Sequence, residues 1–437
     1  MAPSTGFSDS PSSPNTDSPK TDTAASKDRA FFGHPAGLST LFFAEMWERF
    51  SYYGMRALLM LFMTALTAQQ ADELIQSGKA EVTKEVAGTP VKIKMKATEE
   101  PEEAKSSGGH GHGSGGGDKE ISVGGLGFAD AKAGVIYAIY TSLVYFAGLA
   151  GGWLADNVLG QRRAVFWGGF VIMLGHISLA FHGAAFFFAG LALIIAGTGL
   201  LKPNISTIVG LLYDPKDARR DSGFVIYYMG INIGSFLGQT VCGYLAQQPG
   251  FKQTLVAWGI SPLASWHWGF AAAAVGMFFG LAVFVWKGHL MRDAGLHPNP
   301  PANAAEAQRR KRITQMLGGG IALALIAGLG VYASGISIST SVLNISFGLI
   351  LLGITAISFA RIFLADDYTA DERRRLFVIF ILFMASVLFW GAFEQAGGSL
   401  NLFADRKSEV KLLGFEFPSS WYQNINPFAI MIQIGRA

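Results

Sequence analysis

Residues 42–63 read Phe-Phe-Ala-Glu-Met-Trp-Glu-Arg-Phe-Ser-Tyr-Tyr-Gly-Met-Arg-Ala-Leu-Leu-Met-Leu-Phe-Met. The stretch is apolar enough to enter a bilayer, and the apolar run extends from Leu38 to Leu66, yet it carries Glu45, Glu48, Arg49 and Arg56. Helical spacing of three and four residues gathers Glu45, Glu48, Arg49, Tyr52, Tyr53 and Arg56 on one broad face. On an isolated membrane helix each charge would cost about 2.5–3.5 kcal/mol near the centre. That face is therefore expected to look into a bundle interior or a water-filled cavity holding opposite charges. The plainer alternative leaves the charges at the membrane surface, or pairs them with one another only to lock two helices.

Outward from this helix, the composition agrees with a membrane setting. Of 437 residues, 50% are hydrophobic and 15% charged, against about 25% charged in soluble domains; mean hydropathy is +0.34. The excess comes as repeated apolar segments of about 20 residues, the span of a hydrocarbon core. An all-α, polytopic membrane protein follows. The net charge of +3 suggests no nucleic-acid partner. Cys242 stands alone, so no intramolecular disulfide framework exists. Met1 to Lys27, rich in Ser, Thr, Pro and Asp, lacks a signal-peptide core and reads as a disordered cytoplasmic tail.

Spans are expected at about 38–66, 131–154, 164–182, 185–213, 222–245 and 266–290, then at 313–333, 342–364 and 376–403, with a last apolar piece from Trp421. A polar insert at 69–120 separates the first two. It holds His110 and His112 in a glycine tract, which reads as a flexible linker rather than a metal site because no further ligands lie nearby. Basic loops at Arg162–Arg163, Lys216–Arg220 and Arg309–Arg312 all follow even-numbered spans. The positive-inside rule then puts them, with the amino terminus, in the cytoplasm and the insert outside. The spans at 313–333 and 342–364 carry few polar groups and are expected to contact lipid or pack peripherally.

Three intramembrane polar sites can answer the charges of the first helix. Lys202 has no acidic neighbour on its own helix, so Glu45 or Glu48 is the economical partner; snorkelling to the interface is the alternative. Asn232 lies among small residues and is either a packing amide or a ligand contact. Glu394 is the best proton-carrier candidate, because making and breaking one ion pair with an arginine switches its proton affinity; a static salt bridge is the alternative. Tyrosines 52, 53, 140 and 145 fall on or near the same lumen. No P-loop, Ser/His/Asp arrangement or zinc-spaced cluster is found. Opposite charges on different helices suit a secondary transporter gated by ion pairs, not an enzyme.

Glu45-Met-Trp-Glu48-Arg49-Phe-Ser-Tyr52-Tyr53-Gly54 resembles the signature of proton-dependent oligopeptide transporters, a branch of the major facilitator superfamily. Gly151–Arg163 resembles that superfamily's cytoplasmic loop motif, and Lys202-Pro203-Asn204, Phe224–Ser235 and Phe389–Ser399 follow in the family's order. The resemblance implies major facilitator-type helical bundles: a tail at 1–30, a six-helix bundle at 31–290, a linker with two extra helices at 291–375, and part of a second bundle at 376–437. It also implies proton-coupled import of di- and tripeptides across the inner membrane, with no cofactor beyond the proton gradient. Glu45, Glu48, Arg49, Lys202 and Glu394 would couple protons, with Arg56 facing Glu394 as a gate. Tyr52, Tyr53, Arg56, Tyr145, Lys202, Asn232, Glu394 and Asn426 would meet the peptide. The sequence ends at the start of the family's eighth helix, so it reads as truncated and an incomplete second bundle is expected. Carriage of another solute such as nitrate, or an inactive remnant acting as an interaction protein, are the competing readings.

Overall fold

A computed structural model describes residues 28–96, 120–334, 339–365 and 368–434. The amino-terminal tail to Lys27, the tract around His110 and His112, and the Gly435-Arg436-Ala437 ending lie outside the described residues. The first helix is α1, Ala36–Thr64. After it come α2 (Ala68–Gln76), strands β1 (Ala80–Val86), β2 (Thr89–Met95) and β3 (Glu120–Ser122), and α3 (Asp130–Leu154). A π-helical turn at Ala155–Leu159 leads into α4 (Gln161–Leu179), then α5 (Ala184–Leu211), α6 (Arg220–Gln247), the short α7 (Pro249–Ala257) and α8 (Ser265–Trp286). The remainder comprises α9 (Ala304–Ser334), α10 (Thr340–Leu364), α11 (Ala370–Phe393), α12 (Ser399–Lys407), strands β4 (Lys411–Leu412) and β5 (Phe415–Glu416), and α13 (Ile425–Ile434).

Among the described residues, five helical segments are long and apolar enough to cross a membrane: Asp130–Leu159, Ala184–Leu211, Pro262–Trp286, Thr340–Leu364 and Ala370–Lys407. At 29 residues α1 is also long enough, but its four charges set it apart, as the opening stretch implies. It packs against α6 and α8, while α4 pairs with α5, α5 with α3, and α4 with α8. These contacts close a six-helix bundle. Its core has two parts. Phe62, Tyr140, Trp266 and Phe270 fill the half nearest the insert, and Leu41, Ile172, Ile205 and Ile208 fill the other.

Small residues set the helix spacing where backbones meet, because without a Cβ two helices approach until dispersion contacts and carbonyls touch. A Cβ on Gly234 of α6 would collide with the Met46 carbonyl of α1, and one on Gly151 of α3 with the Gly199 carbonyl of α5. On α10, Ile345, Leu349 and Leu352 are exposed, the kind of surface that acyl chains cover.

Two expectations need correction. The insert is not simply a flexible linker: a Thr67–Gln70 capping box starts α2, and β1, β2 and β3 form an antiparallel sheet. Val91 and Ile93 alternate with Lys92 and Lys94, so one face of β2 can bury against Ala71, Ala80 and Val123. A two-residue turn at Ala87–Gly88, both with positive φ, closes the hairpin. The span expected at 376–403 is also not one helix. It breaks after Phe393 into a single 3₁₀ turn, Glu394–Gly397, before α12. There the backbone runs so close to α1 and α3 that a Cβ at Gly397 would collide with the Tyr137 hydroxyl.

At the end of the bundle opposite the insert, Arg219 donates to the carbonyls of Asp28 and Gly33 and pairs with Asp217 at 2.8 Å. Its guanidinium hydrogen bonds hold the Asp217 carboxyl below the usual carboxylate range.

Replacing Gly234 by Ala is expected to cost about 1–3 kcal/mol through overpacking. Gly148→Ala meets nothing within 4 Å and should stay within about 0.5 kcal/mol. Thermal unfolding in detergent measures both, and equal shifts would show that helix contact at Gly234 is not limiting.

Candidate functional site

The charged face of α1 forms one wall of an open cavity of about 1420 Å³. Helices α3, α5 and α6 supply the rest of the first half's wall, and α11, α12, α13 and the 3₁₀ turn supply the other side.

At the inner end of the face sits a triad. Arg49 Nε lies 2.6 Å from Glu45 Oε1 and 2.8 Å from Glu48 Oε2, with all three side chains at most 5% exposed. Glu45 and Arg49 reach the cavity, whereas Glu48 is packed behind them. Among the described residues neither Glu48 oxygen accepts a hydrogen bond, so Glu48 meets Arg49 as a charge pair only. Two carboxylates against one guanidinium leave a surplus negative charge, which a proton or an approaching cation neutralises.

Seven residues along the helix, Arg56 makes the second cluster. Its Nη2 donates to Glu394 Oε2 at 2.6 Å and its Nε to the Tyr137 hydroxyl at 2.8 Å. Glu394 opens the 3₁₀ turn after α11, so this ion pair joins the two sides of the cavity. Tyr52 and Tyr53 lie between the clusters with their rings 5.2 Å apart, edge to face. The Arg49 guanidinium is 5.6 Å from the Tyr52 ring, and that of Arg56 is 6.0 Å from Tyr53.

Lys202 lines the same cavity, but among the described residues it forms no ion pair with Glu45 or Glu48. Its ammonium lies 4.2 Å from the centroid of the Tyr145 ring, a cation–π contact. The expected direct lysine–glutamate contact is not formed: the ammonium rests on an aromatic ring of α3 and interacts with Glu45 and Glu48 at longer range. Asn232 is buried on the wall with Nδ2 donating to the Tyr228 carbonyl at 2.9 Å, while Asn426 stands on α13 across the cavity. Tyr140, placed near the lumen by sequence, packs in the core with 2% exposure.

Sequence reasoning missed Tyr137. It precedes Thr141 and Tyr145 at spacings of four, and all three line the cavity; that helical stripe was the available signal. Ser235 and Gln239, one turn apart on α6, also escaped notice.

A family model described as PTR2, POT family, matches residues 162–435. The transporter YclF of Bacillus subtilis is 37% identical over 412 residues, covering 92% of this chain and 67% of that protein. The chain belongs to the POT family. Among other POT relatives, the peptide transporter YePEPT of Yersinia enterocolitica is 34% identical, covering 94% of this chain and 68% of its own. The di-/tripeptide transporter of Lactococcus lactis subsp. cremoris is also 34% identical, over 93% and 69%. A crystal structure of a peptide transporter POT in complex with sulfate superposes with a TM-score of 0.69 at 37% identity, over 93% of this chain and 68% of that one. A POT family transporter in complex with 5-aminolevulinic acid gives 0.69 at 29%, over 93% and 69%. The chain therefore has the helical membrane-transporter fold of the POT family and spans about two thirds of these relatives' length.

Tyr137→Phe removes the acceptor of a buried charged donor and should cost about 1.5–3 kcal/mol of stability. Unfolding of the purified protein in detergent checks it; a change under about 0.5 kcal/mol would show that Glu394 alone holds Arg56.

Proposed function

We propose that the protein is a proton-coupled symporter that imports di- and tripeptides by alternating access. Its relatives are named peptide and di-/tripeptide transporters, and the cavity has the chemistry for such a ligand. A zwitterionic peptide needs fixed charges of both signs, and the wall offers Arg49, Arg56 and Lys202 with Glu45 and Glu394. Phenols and amides from Tyr52, Tyr53, Tyr145, Asn232 and Asn426 can bind a peptide backbone while tolerating varied side chains. The peptide carboxylate is assigned to Arg56 and Lys202.

The observation that carries the reading is the Arg56–Glu394 pair at 2.6 Å. It spans the cavity, so a proton taken up by Glu394 releases Arg56 for the peptide carboxylate and loosens one side from the other. The triad of Glu45, Glu48 and Arg49 holds the second proton-accepting group, one carboxylate in excess of its cation. By the distribution of basic loops, the amino terminus lies on the cytoplasmic side of the cell's inner membrane and the insert outside.

In proteoliposomes, an inward proton gradient should drive accumulation of a labelled dipeptide. With Glu394→Gln, accumulation should fall by about tenfold or more, since one partner of a largely buried pair is lost, while counterflow exchange persists. Unimpaired accumulation by this variant would remove Glu394 from the proton path. A wild-type protein that exchanges nitrate but no dipeptide would overturn the peptide assignment.

A further inference from the structure

The insert sheet is anchored to the first bundle. Ile93 and Val123 are buried in its small core, and the Trp266 indole of α8 donates to the Val123 carbonyl at 3.1 Å. From that anchored base, strand β1 reaches the other half of the molecule. Lys84 Nζ lies 2.5 Å from Glu416 Oε1 on β5, and Gln248, just before α7, donates to the Glu416 carbonyl at 2.6 Å. Beside them, Gln247 donates to Ser419 at 2.8 Å, and Arg406 of α12 makes two bonds, 2.6 and 3.0 Å, to Asp130 of α3.

The Lys84, Gln248, Gln247 and Arg406 contacts lie at the insert end of the cavity, and each joins the first bundle or its insert to residues after 399. Most are made by the bundle's own helices, but the Lys84 contact exists only because of the insert.

We propose that hairpin β1–β2 is a strap across the insert end of the transport cavity, with Lys84 and Glu416 as its latch. Its place in a transport cycle rests on the symporter reading; the latch itself does not. Lys84 and Glu416 are 31% and 41% exposed, so the pair biases the equilibrium rather than locking it. An ion pair of this exposure shifts a closed-to-open ratio by about two- to fivefold, and salt screens it.

The test places spin labels at Asp72→Cys, on α2, and Lys411→Cys, on β4, in a Cys242→Ala background, and reads the distance distribution in detergent. Lys84→Glu and Glu416→Lys should each enlarge the long-distance population about two- to fivefold. The double exchange, Lys84→Glu with Glu416→Lys, should restore it. In the labelled protein with both native charges kept, raising salt to about 1 M should enlarge the same population. Single variants that leave the distribution unchanged, or an exchange that fails to restore it, would overturn the latch. Because no transport is measured, failure of the latch is separable from failure of the symporter assignment, which uptake assays decide.

Discussion

An arginine held between two glutamates inside an apolar bundle is the constraint on which the rest depends. Arg49 lies within 2.8 Å of both Glu45 and Glu48, in surroundings that leave the three side chains almost wholly buried. Removing charges from water costs several kcal/mol per ion, which only close pairing offsets. Helix α1 can therefore occupy a bundle only if this face meets other polar groups and water. The cavity, with Lys202, Tyr53 and Asn232 on its wall, supplies that environment. Because the triad is unbalanced by one charge, the same arrangement that allows the helix to fold also leaves a place for a proton or a cation.

Close packing on the opposite face of α1 makes this geometry rigid. Gly234 and Gly238 of α6 lie directly against backbone carbonyls of α1, and Gly276 of α8 lies against Phe50. One face is thus fixed at backbone contact and the other is open. The side chains facing the cavity are held in register, while the acidic partner of Arg56, Glu394, comes from beyond the linker helices. A close-packed bundle joined to the residues beyond the linker helices by ion pairs, hydrogen bonds and helix contacts that can be remade suits a cavity that exposes itself in turn to either side.

Much of this was readable from residues alone. The charged face of α1 follows from helical spacing and from the cost of burying charge, whereas the pairing of Arg56 with Glu394 was implied by the family resemblance and not by spacing. What spacing does not fix is which partner a long, flexible side chain chooses. Lys202 was placed with the glutamates, yet its ammonium rests on the Tyr145 ring. Tyr140 and Tyr137 differ by three residues on one helix, and a rotation of about 60° separates a core position from a cavity position. The break after Phe393 was hidden by the apolar residues on either side of it, since hydropathy registers burial and not backbone path. In the insert, Lys- and Glu-rich composition hid the alternation of Val91 and Ile93 that makes β2 a strand.

The most direct measurement of the central claim is a cysteine scan along α1 in a bilayer, comparing a water-soluble thiol reagent with quenching by lipid-attached nitroxides. Arg49, Tyr53, Arg56 and Met60 all line the cavity; positions 43, 47, 50, 54 and 58 fall on the opposite face of the helix. The account predicts that aqueous labelling peaks at the first set with a helical period and that lipid quenching is absent there. Lipid quenching centred on Arg49 and Arg56, with aqueous labelling at Phe43 and Trp47, would contradict it.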